Sequence, residues 1–152
     1  MRGLVAGISV RNATVDDSEP IARLVSDLGY QTSARQMRQR LEAIAGDADY
    51  RTLVACDDGH VVGFIGTRIG RPYEGDGLYG QIMALAVAAD HRRRGVGRML
   101  IRAAESDLVE RGARVLVLTS GNHRADAHAF YESCGYMFTG RRYRKSSSLS
   151  SA

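Results

Sequence analysis

Three consecutive arginines, Arg92, Arg93 and Arg94, stand directly before Gly95-Val96-Gly97. Arginine forms bidentate, charge-assisted hydrogen bonds with phosphate groups. Glycines at the start of a helix let an anion approach the backbone N–H groups that have no partner inside the helix. The pattern therefore predicts a phosphate or pyrophosphate site at a helix N-terminus. The alternative is that the glycines only shape a turn while the arginines face solvent.

Two well-known phosphate motifs are excluded by the same stretch. A P-loop needs the string GxxxxGK[ST], which the sequence does not contain. A dinucleotide fingerprint needs GxGxxG, but its third glycine would fall on Leu100. The acidic ribose partner is also missing, because Glu110 falls inside the predicted helix and not after a following strand. The site therefore belongs to another class of phosphate-bearing ligand.

Hydrophobic periodicity and turn residues predict the element order β-α-α-β-β-β-α-β-α-β. The helix over 95–111 lies between two strands, so those strands should be parallel with a right-handed crossover. The fold class is therefore α/β, or α+β by some schemes, with a mixed sheet flanked by helices. The segments are a strand in 7–13, a helix after Thr14, a helix after Ser33 with Gln36 completing a capping box, a hairpin over 51–69 turning at 57–59, a strand at 79–88, the helix 95–111, an almost fully buried strand at 113–119, a short helix at 124–135, and a closing strand or hairpin at 136–145.

The stretch LAVAADHRRRGVGRMLI, residues 85–101, resembles the acetyl-CoA-binding motif of the GNAT superfamily of N-acetyltransferases. That motif is a hydrophobic strand ending L-x-V, then a short link, then [Q/R]-x-x-G-x-[G/A] entering a helix. Arg92, Gly95 and Gly97 occupy the three signature positions. The proline that usually follows the strand is Ala89 here.

A second stretch agrees with the first. NHRADAHAFYESCGY, residues 122–136, resembles the later motif of the family through Asn122, Ala125, Tyr131 and Gly135. The resemblance covers about residues 8 to 145 and implies a GNAT-like sheet in a single N-acetyltransferase domain, 1–145. The serine-rich residues 146–152 have the composition of a disordered tail.

The resemblance also implies where acetyl-CoA binds. The backbone of the strand would pair with the pantetheine, and backbone N–H groups of the glycine loop would hold the pyrophosphate. Asn122 would hydrogen-bond the pantetheine, or would simply be a turn residue before the helix. The implied cofactor-binding residues are Leu85, Ala86, Val87, Arg92, Arg93, Arg94, Gly95, Val96, Gly97, Arg98 and Asn122.

The implied chemistry is direct attack of an amine on the thioester. Tyr131, with a reference pKa of about 10 against about 8.5 for a thiol, would be the general acid that protonates the leaving thiolate if its hydroxyl reaches the sulfur. Periodicity alone allows Tyr131 to be part of a buried helix stripe. Gln81 stands where some relatives carry a glutamate base and cannot accept a proton, although it could order a water molecule. Glu74 and Asp76 are expected to form a negative rim that attracts a cationic amine.

Composition limits the remaining possibilities. The 152-residue chain has a formal net charge of +4, and all but one of its 21 basic residues are arginine, which suits an anionic partner. It lacks the run of about 18 apolar residues that a membrane span needs. Two distant cysteines and no HExxH motif predict neither a disulfide framework nor a metal site, in a cytoplasmic protein.

Three questions remain open at this level. The acceptor is a small-molecule or peptide amine, and a homodimer is compatible with the sequence without being required by it. The first alternative function is a catalytically idle acyl-CoA-binding sensor or scaffold, which the missing carboxylate at Gln81 permits. The second is a basic nucleic-acid-binding module, although only 7% of the residues are aromatic and could stack on bases.

Overall fold

The computed structural model describes residues 5–120 and 125–147. The chain forms two compact units, Met1–Leu118 and Thr119–Ala152. The first unit contains β1 (Ile8–Asn12), a 3-10 turn (Val15–Asp17), α1 (Ser18–Asp27), α2 (Ala34–Ala45), β2 (Tyr50–Asp57), β3 (His60–Gly70), β4 (Leu78–Val87), a second 3-10 turn (Ala89–His91), α3 (Val96–Glu110) and β5 (Ala113–Leu118). The second unit contains α4 (Ala125–Ser133).

The five strands form one sheet in the order β1-β2-β3-β4-β5. Neighbouring strands are antiparallel from β1 to β4, whereas β4 and β5 are parallel. Helix α3 is the crossover between the two parallel strands. The predicted mixed sheet and its βαβ unit are therefore confirmed.

Local capping signals were predicted correctly. Thr14 and Asp17 form a capping box at the first 3-10 turn, and Ser33 and Gln36 form one at the start of α2. The hairpin turn between β2 and β3 has positive φ angles of 50° at Asp58 and 79° at Gly59. Two successive left-handed residues are what a tight two-residue hairpin requires.

The helices cover both faces of the sheet. Helices α1 and α2 pack Ile21 and Leu41 against Phe64 and Ala86 on one face. On the other face α3 approaches so closely that a Cβ added to Gly80 would lie 2.8 Å from Leu108 Cδ1. Because α3 passes directly over β4, the start of α3 is held close to the end of β4.

Two predictions about the later strands were wrong. Residues 136–147 form no regular structure, so the closing strand or hairpin at 136–145 is absent from the described residues. Strand β5 is not almost fully buried, because Val115 is 58% exposed and Val117 is 39% exposed. An apolar run indicates a strand, but burial depends on what covers each face, and α3 covers only one face of β5. Of the two cysteines, Cys56 is buried and Cys134 is partly buried.

Candidate active site

The loop before α3 has a backbone suited to an anion. After the 3-10 turn Ala89–His91, Arg92 is extended, Arg93 has a φ of 62° and Gly95 has a φ of 84°. Gly95 is the N-cap of α3, and no side chain caps this helix. Positive φ is costly for residues with a Cβ, so the glycine signature at position 95 is a requirement of this turn.

The start of α3 presents backbone N–H donors. The N–H of Met99 already bonds the carbonyl of Gly95 at 3.0 Å. Helix geometry leaves the earlier N–H groups, those of Val96 and Gly97, without intrahelical acceptors. The 15-residue helix also places the positive end of its dipole here. Backbone donors and helix dipole together can bind a pyrophosphate.

The arginines of the loop have different tasks. Arg92 Nε donates a hydrogen bond to the carbonyl oxygen of Val87 at 3.1 Å, which ties the loop to the end of β4. Arg93 and Arg94 are exposed, and neither forms an ion pair with any carboxylate in the part of the chain that the structure describes. Arg98 lies partly buried in the first turn of α3. The charges of Arg93 and Arg94 are therefore available to an anionic ligand.

His91 fastens the same loop to the β2–β3 turn, which the sequence did not predict. Its Nε2 lies 2.8 Å from Asp57 Oδ2 and its Nδ1 lies 2.9 Å from Asp90 Oδ1. Only 13% of the His91 side chain is exposed. The hydrogen bonds to Asp57 and Asp90 raise the pKa of His91 above its ordinary value. Both ring nitrogens face carboxylates, so the charged imidazolium satisfies this arrangement best.

Strand β4 has an open edge where the pantetheine is expected. Pairing between β4 and β5 ends at Ile82 and Leu118. On its other side β4 pairs with β3 up to Val87, and the register shift opposite Gly66/Thr67 leaves Met83 as an extra, bulged residue. Backbone groups of the stretch 83–87, including those of Leu85 and Ala86, therefore border an edge that β5 does not cover. An extended ligand can add to such an edge as a further strand.

Gln81 lies just before this opening. It pairs with Arg68 of β3 on one side and with Val117 of β5 on the other. Arg68 Nη1 donates a hydrogen bond to the Tyr79 hydroxyl at 3.1 Å. Sequence reasoning singled out Gln81 but missed Arg68 and Tyr79, because only strand register brings the three together.

The remaining predicted site residues lie on other segments of the chain. Glu74 and Asp76 are exposed in the loop 71–77 between β3 and β4, and neither forms an ion pair among the residues described. Tyr131 is half-buried on α4, with its ring centroid 5.5 Å from that of Phe130. Asn122 falls outside the described residues. The expected contact of Asn122 with pantetheine therefore stays a prediction.

A cleft borders the helix pair α1 and α2. It has a volume of about 470 Å³ and lies between α1, the loop that leads to α2, and the end of the sheet. Asp27 and Thr32 line its helical wall, and Val61 and Ala88 line its sheet wall. Ala88 directly follows β4, so the cleft adjoins the start of the loop 89–95 that leads into α3.

Other kinds of site find no support within residues 5–120 and 125–147. There, no cluster of three His, Cys, Asp or Glu side chains could hold a metal ion. No helix in this part of the chain has the length and apolar character needed to cross a membrane.

Comparison with known proteins agrees with this geometry. The sequence pattern of the Acetyltransferase (GNAT) family matches residues 18–136. An aminoalkylphosphonate N-acetyltransferase of Salmonella typhimurium is 27% identical over 137 residues, which cover 90% of this chain and 89% of the relative. A streptothricin acetyltransferase of Streptomyces lavendulae is 38% identical over 95 residues, which cover 62% of this chain and 48% of the relative.

A solved structure has the same fold. The aminoglycoside N-acetyltransferase AAC(6')-Iy in complex with CoA superimposes with a TM-score of 0.80 at 20% identity, covering 91% of this chain and 94% of that chain. The chain belongs to the acetyltransferase (GNAT) family. It is an acetyl-CoA-dependent N-acetyltransferase, as the two sequence motifs predicted.

Proposed function

We propose that this protein transfers an acetyl group from acetyl-CoA to the primary amine of a small molecule. The observation that carries the proposal is the adjacency of two open backbone surfaces, the uncapped N-terminus of α3 and the unpaired edge of β4. Together they suit a ligand with a pyrophosphate at one end and an extended amide chain at the other. The relatives' names indicate small amine acceptors, namely aminoalkylphosphonates and streptothricin.

The donor site uses the residues that the sequence singled out. Backbone N–H groups of Gly95, Val96 and Gly97 bind the pyrophosphate, and Arg93 and Arg94 supply compensating charge. Arg92 contacts the phosphates and also holds the loop in place, because its Nε donates a hydrogen bond to the carbonyl oxygen of Val87. Support for this assignment comes from the positive φ of Gly95. This conformation favours glycine, and glycine has no Cβ that could block the anion.

Acetyl-CoA supplies an activated thioester, and the chain's own groups guide the transfer. A backbone N–H on the open edge 83–87 stabilises the negative charge that develops on the acetyl oxygen. The amine nitrogen bonds to the acetyl carbon while the carbon–sulfur bond breaks. Tyr131 gives its proton to the departing sulfur, and the proton lost by the amine passes to water, which Gln81 orders. The motif match supports Tyr131 in this role.

We also propose that residues 1–145 act as a single N-acetyltransferase domain. The family match over 18–136 supports this, because it spans parts of both compact units. Residues 148–152 of the serine-rich tail lie outside the described residues. The free state of both cysteines fits the proposed cytoplasmic location.

Calorimetric titration with acetyl-CoA, CoA, NAD and duplex DNA tests the donor site. We expect binding of acetyl-CoA and CoA and none of NAD. Binding of DNA alone, weakened steeply by salt, would mean that the arginines serve a nucleic acid instead.

A thiol-release assay over a panel of amines then tests catalysis. Tyr131→Phe should lower kcat by about 100-fold or more while the Kd for acetyl-CoA is kept, because only the proton donor is lost. Tyr143→Phe is the matched control, since Tyr143 is 87% exposed. Tight acetyl-CoA binding without turnover on any amine would identify a sensor or scaffold instead of an enzyme.

A further inference from the structure

Arg68 lies on an open part of the sheet. It is two residues beyond Gly66 and four beyond Phe64 on β3, so the three residues face the same side of the sheet. Phe64 packs against α1 and α2 on that side. At Gly66 a Cβ would meet no atom of the described residues within 4 Å, so α1 and α2 no longer cover the sheet at this position. Arg68 therefore stands beside free space large enough for at least a methyl group.

Within residues 5–120 and 125–147, Arg68 forms no ion pair with a carboxylate, unlike two other strand arginines. Arg11 on β1 pairs with Asp17 at 2.9 Å, and Arg51 on β2 pairs with Asp107 at 2.9 Å. Arg68 instead uses one N–H to bond the neutral hydroxyl of Tyr79. Asp49 attracts it only weakly, and no carboxylate of the described residues forms an ion pair with it. The guanidinium is thus held in place with its positive charge uncompensated.

Arg68 is also close to the reacting end of the donor site. Its register partner is Gln81, which stands where some relatives carry a glutamate base. The pairing of β4 with β5 ends one residue later, at Ile82. Gly66 pairs with Ala84 on the open stretch of β4, and Arg68 lies about 7 Å further along β3 at a rise of about 3.3 Å per residue. An arginine side chain spans a distance of that order.

We propose that Arg68, oriented by Tyr79, binds an anionic group on the acceptor, so that the preferred acceptors are small amines carrying a carboxylate or a phosphonate. The planar fork of a guanidinium recognises either group with two parallel hydrogen bonds. The bond to Tyr79 occupies one N–H and leaves the others for the ligand. This inference rests on the proposed function and assigns the acceptor class to the same active site.

The exposed carboxylates of Glu74 and Asp76 do not contradict this assignment. An amine with an anionic group arrives as a zwitterion, and its ammonium end is attracted by the acidic loop while its anionic end is bound by Arg68. A cationic amine without an anionic group would bring its charge toward an uncompensated guanidinium, which is unfavourable.

Matched acceptors test the inference. The thiol-release assay is run with propylamine, 1,3-diaminopropane, 4-aminobutanoate and 3-aminopropylphosphonate, which share a three-carbon chain and differ only in the group at the end opposite the amine. We expect kcat/KM for at least one of the two anionic amines to exceed that for propylamine by about 10-fold or more. The carboxylate and phosphonate arms show which anion fits.

Variants locate the effect. Arg68→Met keeps an unbranched side chain without the guanidinium and should lower kcat/KM for the anionic amine about 10- to 100-fold, with propylamine and the Kd for acetyl-CoA unchanged. Arg68→Lys should recover part of the loss, because it restores charge without the fork. Arg102→Met is the control, since Arg102 is an exposed arginine on α3.

These assays test the assignment of Arg68 separately from the proposed acetyl transfer. No preference for anionic amines, or an equal loss for all amines in Arg68→Met, would overturn the assignment of Arg68 while leaving acetyl transfer intact. Absence of CoA release with every amine would instead overturn the proposed function. The two failures are distinguishable because the first leaves turnover of propylamine or diaminopropane measurable.

Discussion

The two halves of the active site are built in different ways. The pyrophosphate-binding part of the donor half is one continuous stretch, residues 89–98, in which a turn, four arginines and two glycines lie close together along the chain. The acceptor half that we assign is made of Arg68, Tyr79 and Gln81, which come from two strands and meet only through their register. In the site that we propose, the donor half binds its ligand mainly with backbone groups, whereas the acceptor half uses side chains.

This difference bears on specificity. Backbone donors at a helix N-terminus require a given local conformation but tolerate many side chains around it. Side chains on a sheet face can be exchanged without changing the strands, so an acceptor half of this kind can change its ligand while the donor half keeps acetyl-CoA. Substitutions should therefore affect one half and spare the other.

The largest effect on acetyl-CoA affinity is expected from Gly95→Val in the donor half. Gly95 has a φ of 84°, and its Cβ would lie 3.3 Å from Val5 Cγ2. The left-handed conformation costs a residue with a Cβ about 1–2 kcal/mol, and valine also obstructs the anion. We expect the Kd for acetyl-CoA to rise by about 30-fold or more, measured by calorimetry. Gly140→Val, where a Cβ would meet nothing within 4 Å, is the control.

Gly70→Ala should act on the acceptor half alone. A Cβ at Gly70 would lie 2.7 Å from the Tyr79 hydroxyl oxygen, so the ring must move and release Arg68. We expect kcat/KM for the preferred anionic amine to fall about 10-fold, the size of one lost charged contact. The Kd for acetyl-CoA should stay constant. A parallel loss of acetyl-CoA affinity would show that the two halves are coupled.

His91 lies within hydrogen-bonding distance of both Asp57 and Asp90, and we call this arrangement the histidine clamp. It should make acetyl-CoA binding by the donor half depend on pH. Hydrogen bonds to Asp57 and Asp90 raise the pKa of His91, with Arg94 opposing them in part. The clamp is therefore complete below the ordinary histidine pKa and weakens as pH rises through the raised value. A neutral imidazole can donate to only one of its two carboxylates.

We expect the Kd for acetyl-CoA to increase about threefold or more as the pH rises through the raised pKa of His91, in line with the loss of one hydrogen bond. His91→Asn should have the weaker affinity at all pH values and remove the step. A step that persists in His91→Asn would assign the titration to another group.

Asp17→Asn should spare both halves and lower stability only. Asp17 accepts two hydrogen bonds from Arg11 at 2.9 Å and caps the turn through the N–H of Thr14. The bonds from Arg11 lower the pKa of Asp17, so its stabilising effect is present above the unfolded-state pKa and is lost as pH falls. We expect a loss of about 2 kcal/mol and a Tm lower by about 5 °C, measured by thermal unfolding.

Much of the fold could be read from local signals. The capping boxes at Thr14 and Ser33, the tight turn at Asp58-Gly59 and the glycine start of α3 are each formed by residues a few positions apart. Such features depend on φ, ψ and nearby hydrogen bonds, which neighbouring residues decide. The turn that leads into α3 was predictable from Gly95 for the same reason.

Burial and partners were harder to predict. The apolar pattern predicts an almost fully buried strand at β5 and a further strand at 136–145, and both predictions are wrong. Hydrophobicity indicates that a segment tends to be buried, but it does not identify the element that packs against it. The contact between His91 and Asp57 spans 34 positions and leaves no mark in the spacing of the sequence. Arg68 likewise looks like any other strand residue until its register is known.

By itself, the sequence determined the family, the order of nearly all elements and the loop that suits acetyl-CoA, since these rest on residues adjacent along the chain. Only the tertiary structure decided which arginine keeps an uncompensated charge beside the reacting end of the donor site. Charge compensation depends on distances across strands and helices, and those distances exist only once the sheet has fixed its register.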